Sequence, residues 1–227
     1  MTATLYIVAT PIGNLADITF RAVETLRTVD VIACEDTRVT SKLLSRFEIK
    51  KPLIIYSAAA HKQGSTRVMQ LLADGKNVAL VTDAGTPGVS DPGNELVAEV
   101  RSRLADEVHV VTIPGPSALA AALSIAGVDS HQFIFLGFLP HKKGRQTLFK
   151  EIAKEERTVV FYESPHRIEK ALASLAEVLK EKKKVTILRE LTKIHESYVS
   201  GTASEVLDHF EKNPSQVRGE FVVIVSP

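Results

Sequence analysis

The run Val78-Ala79-Leu80-Val81 leaves this chain few folds to choose from. Four apolar residues in succession suit a strand buried on both faces, the pattern of a parallel sheet covered by helices. The run breaks into Asp83-Ala84-Gly85-Thr86-Pro87-Gly88 and then Val89-Ser90-Asp91-Pro92-Gly93. Open α/β sheets bind ligands at the C-terminal ends of their strands, where such loops lie. Glycine lets backbone approach a ligand and proline stiffens the path. The loop is a candidate binding element as well as a strand-to-helix connection, with Asn94 expected to cap the next helix.

The same unit recurs through the first half. Leu5–Ala9 reads as a strand that runs into Thr10-Pro11-Ile12-Gly13-Asn14. Asp17 is the expected cap of a helix with Ile18, Ala22, Val23 and Leu26 on one face. Val31–Ala33 reads as a short strand, followed at once by Glu35-Asp36-Thr37-Arg38. Two acids and an arginine where a strand stops are placed for a ligand; the alternative is an internal ion pair with Thr37 as a helix cap. Leu43, Leu44 and Phe47 continue that helix, 52–56 is the next strand and 65–74 the next helix. Leu96, Val97, Val100 and Leu104 form a further helix stripe. Val108–Thr112 is a strand ending in Ile113-Pro114-Gly115-Pro116-Ser117, and Ala118–Ala126 is a helix whose N-terminus offers backbone N–H groups. The GxGxxG spacing and the P-loop lysine are absent, so neither a Rossmann dinucleotide site nor a P-loop is supported.

The second half carries strands with shorter links, which suggests a mixed sheet with antiparallel pairs. Residues 132–137 read as a strand, followed by Phe138-Leu139-Pro140 and the basic run His141-Lys142-Lys143-Gly144-Arg145, either a phosphate holder or a solvated loop. Thr158–Tyr162 leads into Glu163-Ser164-Pro165-His166-Arg167. Ser164 suits an N-cap and Pro165 the first helical position, leaving Glu163, His166 and Arg167 for chemistry. Val185–Leu188 ends in Arg189-Glu190-Leu191-Thr192-Lys193. A strand over 196–200, a capping box of Thr202 and Glu205 and a strand at Phe221–Val225 complete the chain.

Composition bounds the partners. The 227 residues are 44% hydrophobic, enough for one large domain or two smaller ones. A net charge of +1 excludes a global polyanion-binding field, so any nucleic acid must be met by local basic residues. The single cysteine, Cys34, fits a reducing compartment and reads as a buried apolar residue. No signal peptide and no apolar run near membrane length are evident, which points to a cytoplasmic protein. The histidines lack metal-ligand spacing and GxSxG is absent, so no metal site or serine hydrolase site is expected.

Taken in order, PIGN (11–14), EDTR (35–38), TDAGTPGVSDPG (82–93), IPGPSA (113–118), GFLP (137–140), ESPHR (163–167) and RELTK (189–193) resemble the ribosomal RNA small subunit methyltransferase I family, in the tetrapyrrole-methylase class. The resemblance implies a two-domain α/β fold. Residues 1–113 would carry a mostly parallel sheet and residues 114–227 a mixed one, with S-adenosylmethionine (SAM) in the interdomain cleft. It implies 2′-O-methylation of a decoding-region cytidine in 16S rRNA, within the small ribosomal subunit, by a homodimer. Pro11, Asp83, Gly85, Thr86, Pro87, Gly115, Pro116, Ser117 and Ala118 would hold the cofactor. Glu35, Asp36, Arg38, Glu163, Glu190 and Lys193 are the catalytic candidates, Asp36 or Glu35 first as partner of the ribose hydroxyl. Arg38, Arg167, Arg189 and Lys193 would hold phosphates or orient the acids. The family's HEHN-like run is replaced by Ser57-Ala58-Ala59-Ala60-His61, and the helical appendage of many members is expected to be missing after Pro227. Rival readings are a SAM enzyme of the same fold acting on a small molecule, and a non-catalytic RNA-binding homologue. A nucleotide hydrolase is weaker still.

Overall fold

The computed structural model describes residues 2–57, 61–180 and 182–227. The chain divides into two compact units between Ser117 and Ala118. The first contains strands β1 (Ala3–Val8), β2 (Val31–Cys34), β3 (Leu53–Ile55), β4 (Val78–Leu80) and β5 (Val108–Ile113). They form one sheet in the order β3-β2-β4-β1-β5, and every pairing is parallel. Four helices cover it: α1 (Phe20–Thr28), α2 (Thr37–Arg46), α3 (His61–Ala73) and α4 (Asn94–Arg103).

Two apolar clusters separate the faces. Ala22 and Leu26 of α1 join Leu44 of α2 in one; Val68 and Leu72 of α3 join Leu96 and Val100 of α4 in the other. The opening apolar run serves both, since Val78 and Leu80 enter the second cluster while Ala79 and Val81 enter the first. The side-chain alternation of a strand makes a four-residue apolar run necessary when both faces are covered. The neighbouring strands β1 and β4 are followed by helices on opposite faces, so a topological switch point lies between them.

The second unit contains α5 (Ala118–Ala126), β6 (Phe133–Phe138), α6 (Arg145–Lys154), β7 (Thr158–Glu163), α7 (Ile168–Leu179), β8 (Lys184–Arg189), β9 (Ser197–Gly201), α8 (Ala203–Lys212) and β10 (Phe221–Ser226). Its sheet runs β6-β7-β10-β8-β9. Only the β6–β7 pair among these is parallel. Phe149, Leu172, Leu175 and Phe210 of the helices pack on Phe161, Ile187 and Val223 of the strands. No described helix is long and apolar enough to cross a membrane.

Several helix starts differ from the sequence expectation. Asp17 lies in a 3-10 turn, Leu15–Asp17, capped by Asn14. Thr19 caps α1, its hydroxyl accepting from the Ala22 N–H at 3.1 Å. Asp36 rather than Thr37 caps α2 by accepting the Arg38 N–H at 2.8 Å. The cap position of α4 is Gly93, at φ 148°, with no side-chain bond, and Asn94 is the first helical residue. Ser164 stands one turn ahead of α7, where its carbonyl accepts the Ile168 N–H at 3.1 Å. At α1 and α2 neighbouring short polar residues compete for the same unpaired N–H groups, and local sequence does not decide which takes the extended backbone of a cap. The Thr202–Glu205 capping box has both reciprocal bonds, at 2.8 and 3.2 Å.

Candidate active site

The loops beyond β1 and β4 are stitched together at the switch point. Thr10 N–H donates to the Gly85 carbonyl at 2.9 Å, and Gly85 N–H returns the bond at 3.0 Å. The Thr10 hydroxyl donates to the Thr82 carbonyl at 3.1 Å. Gly85 holds φ +83°, a left-handed conformation that favours glycine. The Thr86 hydroxyl donates to the Pro116 carbonyl at 3.1 Å, tying the β4 loop to the one after β5. A Cβ on Gly115 would stand 3.2 Å from the Ala9 Cβ, so glycine lets the ends of β1 and β5 close together. Pro11 is buried directly after the bridge. Pro11, Asp83, Gly85, Thr86, Pro87, Gly115, Pro116 and Ser117 thus occupy the ends of three adjacent strands, and Ala118 opens α5.

Acids collect beside them. Glu35 and Asp36 follow β2, the other neighbour of β4, and the Asp36 N–H donates to Asp83 Oδ1 at 3.1 Å. Asp36 is itself held by Arg38, with Nη2 to Oδ2 at 2.6 Å and Nε to Oδ1 at 3.1 Å. The Arg38 side-chain and backbone hydrogen bonds lower its carboxyl to about 2. The neighbouring acids move the other way. Burial raises Glu35, and the Asp83 charge adds to it. Burial likewise raises Asp83, against the pull of the Asp36 N–H. Burial, then the charges of Glu35 and Asp83, lifts Asp91 to about 6. One strand edge therefore holds a strongly acidic carboxyl clamped by arginine and more basic ones facing like charge, the division that assigns acid and base roles. Asp91 had no role in the sequence reading; its signal was a second aspartate in the same Gly/Pro loop.

The remaining candidates lie in the second unit, on one edge of its sheet. Phe221 at the start of β10 pairs with Glu163 on one side and Arg189 on the other, so GFLP, ESPHR and RELTK emerge together. Glu163 has a fully buried side chain between Arg145 Nη2 at 2.6 Å and Arg167 Nη2 at 2.8 Å. These guanidiniums also donate to the Pro140 and Leu139 carbonyls at 3.2 and 3.1 Å. The last residue of the basic run is thus turned inward. Arg189 is spent on Ser197 Oγ and on the Arg218 and His195 carbonyls. Lys193 Nζ lies 2.8 Å from both Glu190 Oε1 and Glu220 Oε2. Burial works against the Glu190 charge, but Lys193 and the Glu220 N–H outweigh it and lower its pKa. Glu190 and Thr192 hold left-handed φ values of 53° and 67°, and a Cβ at Gly219 would fall on the Glu190 carboxylate. In the segment that departs from the family pattern, positions 58–60 lie outside the described residues.

Residues 4–207 match the family Tetrapyrrole (Corrin/Porphyrin) Methylases. A Synechocystis protein named ribosomal RNA small subunit methyltransferase I is 46% identical over 98% of this chain and 78% of its own length. This chain belongs to that family of methyltransferases. A Thermotoga maritima family member of the same name is 45% identical over 98% of this chain and 97% of its own. Among solved structures, a cobalt precorrin-4 methyltransferase superposes with a TM-score of 0.70 over 98% of this chain and 94% of its own, at 19% identity. That likeness is one of fold, the tetrapyrrole-methylase α/β architecture, and the family's parallel and mixed sheets are the two described above.

Proposed function

We propose that the chain methylates the ribose 2′-hydroxyl of a cytidine in the decoding region of 16S rRNA, in the small ribosomal subunit, with SAM as donor. The observation that carries the reading is the group of carboxylates, Glu35, Asp83 and Asp91, gathered at the switch point where the Gly85 loop leaves β4, in a chain 45–46% identical to proteins named for small-subunit rRNA. SAM supplies an electrophilic methyl on a sulfonium. The residues fit such a group: acids complement its positive charge, and Gly115, with no side chain of its own, lets backbone come close to a flat ring.

In this reading Asp83, with the backbone of Gly85–Pro87 and Gly115–Ala118 and the Pro11 ring, forms the cofactor cradle. A ribose hydroxyl is a poor nucleophile, so its proton needs an acceptor. The coupled acids Glu35 and Asp91 take that role, because their shifted carboxylates are the better bases. Asp36, already saturated by Arg38, fixes the start of α2 and orients Asp83. Glu163 is a positioning residue that fastens the loop after β6 to the loop after β7, and Lys193 with Glu190 shapes the neighbouring loop. The enzyme would work as a cytoplasmic homodimer.

The test is transfer of labelled methyl from SAM to small subunits lacking decoding-region methylation, with the modified nucleoside mapped by mass spectrometry. The expected product is 2′-O-methylcytidine. Transfer to a corrinoid or porphyrin precursor instead would overturn the substrate, and binding of RNA without any transfer would overturn the activity.

A further inference from the structure

We propose that a groove along α1 is a docking track for single-stranded RNA, an inference that rests on the rRNA reading above. The groove encloses about 740 Å³ and is lined by Leu15, Phe20, Arg21, Arg27, Arg46 and Phe47 among others. It begins beside the loop that follows β1 and runs the length of α1 to the end of α2. The nine residues of α1 span about 13 Å.

Three features select the occupant. Phe20 is 98% exposed at the first turn of α1, with half-exposed Leu15 beside it. An aromatic ring held out in water is a stacking platform for a base. The basic residues line the same groove: Arg21, Arg27 and Arg46, against the single acid Glu24. No described carboxylate pairs with any of the three arginines. The groove thus concentrates positive charge in a chain whose net charge is only +1. Two of the guanidiniums are also positioned. Arg27 Nη2 donates to the Phe47 carbonyl at 3.1 Å, and the Arg46 guanidinium lies 5.9 Å from the Phe47 ring centroid. Arginines set beside aromatic rings recognise phosphate and stack on bases. A second copy of the chain pairing through this face would bring both sets of arginines together, which disfavours it.

The test compares the wild-type chain with Phe20→Ser and with a triple variant carrying Arg21→Glu, Arg27→Glu and Arg46→Glu. Binding to a short fluorescein-labelled oligouridylate is read by anisotropy across a salt series, and methyl transfer to small ribosomal subunits by turnover. The triple variant is expected to lose at least about tenfold in RNA affinity and to flatten the log–log salt slope by about 2, roughly 0.7 for each lost phosphate contact. Phe20→Ser is expected to lose about tenfold with the slope kept, as for one lost stacking contact. Both should raise KM for subunits with SAM affinity retained. Because all four side chains are exposed, melting temperatures should stay close to wild type; if the triple variant melts early, Phe20→Ser and single Arg21→Glu carry the test. Unchanged affinity and slope overturn the track. A wild-type dimer that Phe20→Ser splits, with RNA affinity untouched, also overturns it and makes the face a contact between copies. Groove-dependent RNA binding without methyl transfer would sink the functional reading alone, whereas transfer by a wild type whose variants bind equally would sink the track alone.

Discussion

Burial and the charges of Glu35 and Asp83 keep the Asp91 carboxyl protonated at pH values where an exposed aspartate is already charged. Its folded pKa is raised, so ionising it destabilises the fold as pH climbs from about 4 through about 6. Asp91→Asn removes that penalty. The variant is expected to be more stable than wild type at pH 8 by about 1 kcal/mol, discounted for partial exposure, and equal to it below pH 3. Thermal melts across pH check this. The methyl-transfer rate of the wild type should rise through about pH 6, whereas Asp91→Asn should lose the rise and about a hundredfold in kcat. At Glu163 the expectation is reversed. Glu163→Gln leaves two nearly buried guanidiniums short of their shared charge, a loss of about 3 kcal/mol or more in urea unfolding.

Single elements carry their own predictions. Thr202→Ala removes one half of a complete capping box and should destabilise α8 by about 1 kcal/mol, read as faster amide exchange in that helix. Gly85→Ala places a Cβ on a left-handed residue and strains the bridge to Thr10 by about 1 kcal/mol. If the cradle is as proposed, calorimetry should record SAM binding weakened several-fold. Elements were the most legible level of the sequence. Helix 118–126 has the bounds read from composition, and the Thr202 box was recognisable because its partner sits three residues away. The caps at Asp17 and Thr37 were misread because nearby polar residues offer equivalent local chemistry, and those at Asn94 and Ser164 because α4 and α7 start after Gly93 and Arg167 with no side-chain cap at all. Arg145 was legible as part of a basic run and Arg189 as a charge at a strand end, but neither as an inward-turning one. Their partners are 18 residues away for Glu163 and 29 for the Arg218 carbonyl. The shifted pKa of Asp91 was hidden for the same reason, since Glu35 reaches it only through the β2–β4 pairing.

At the scale of the molecule, the first sheet could be foreseen as parallel from its doubly apolar strands, though its order could not. Nothing local tells β4 to enter between β1 and β2. The second sheet hides its order further, because β10, late in the chain, lies between β7 and β8 with paired bonds to both. All six of its residues are buried. Removing the chain from Phe221 onward should abolish the second core, seen as loss of near-ultraviolet dichroism from Phe161 and Tyr162, whereas removing Pro227 alone should leave it intact. Synthesis proceeds from the N-terminus, so β7 and β8 leave the ribosome before the strand that belongs between them exists. Until Ser226 is made, two apolar strand edges wait unpaired, and such edges invite pairing with other chains. The central place of a late strand thus leaves this sheet open until after its other strands have been made, with its greatest risk of aggregation in the interval before β10 arrives.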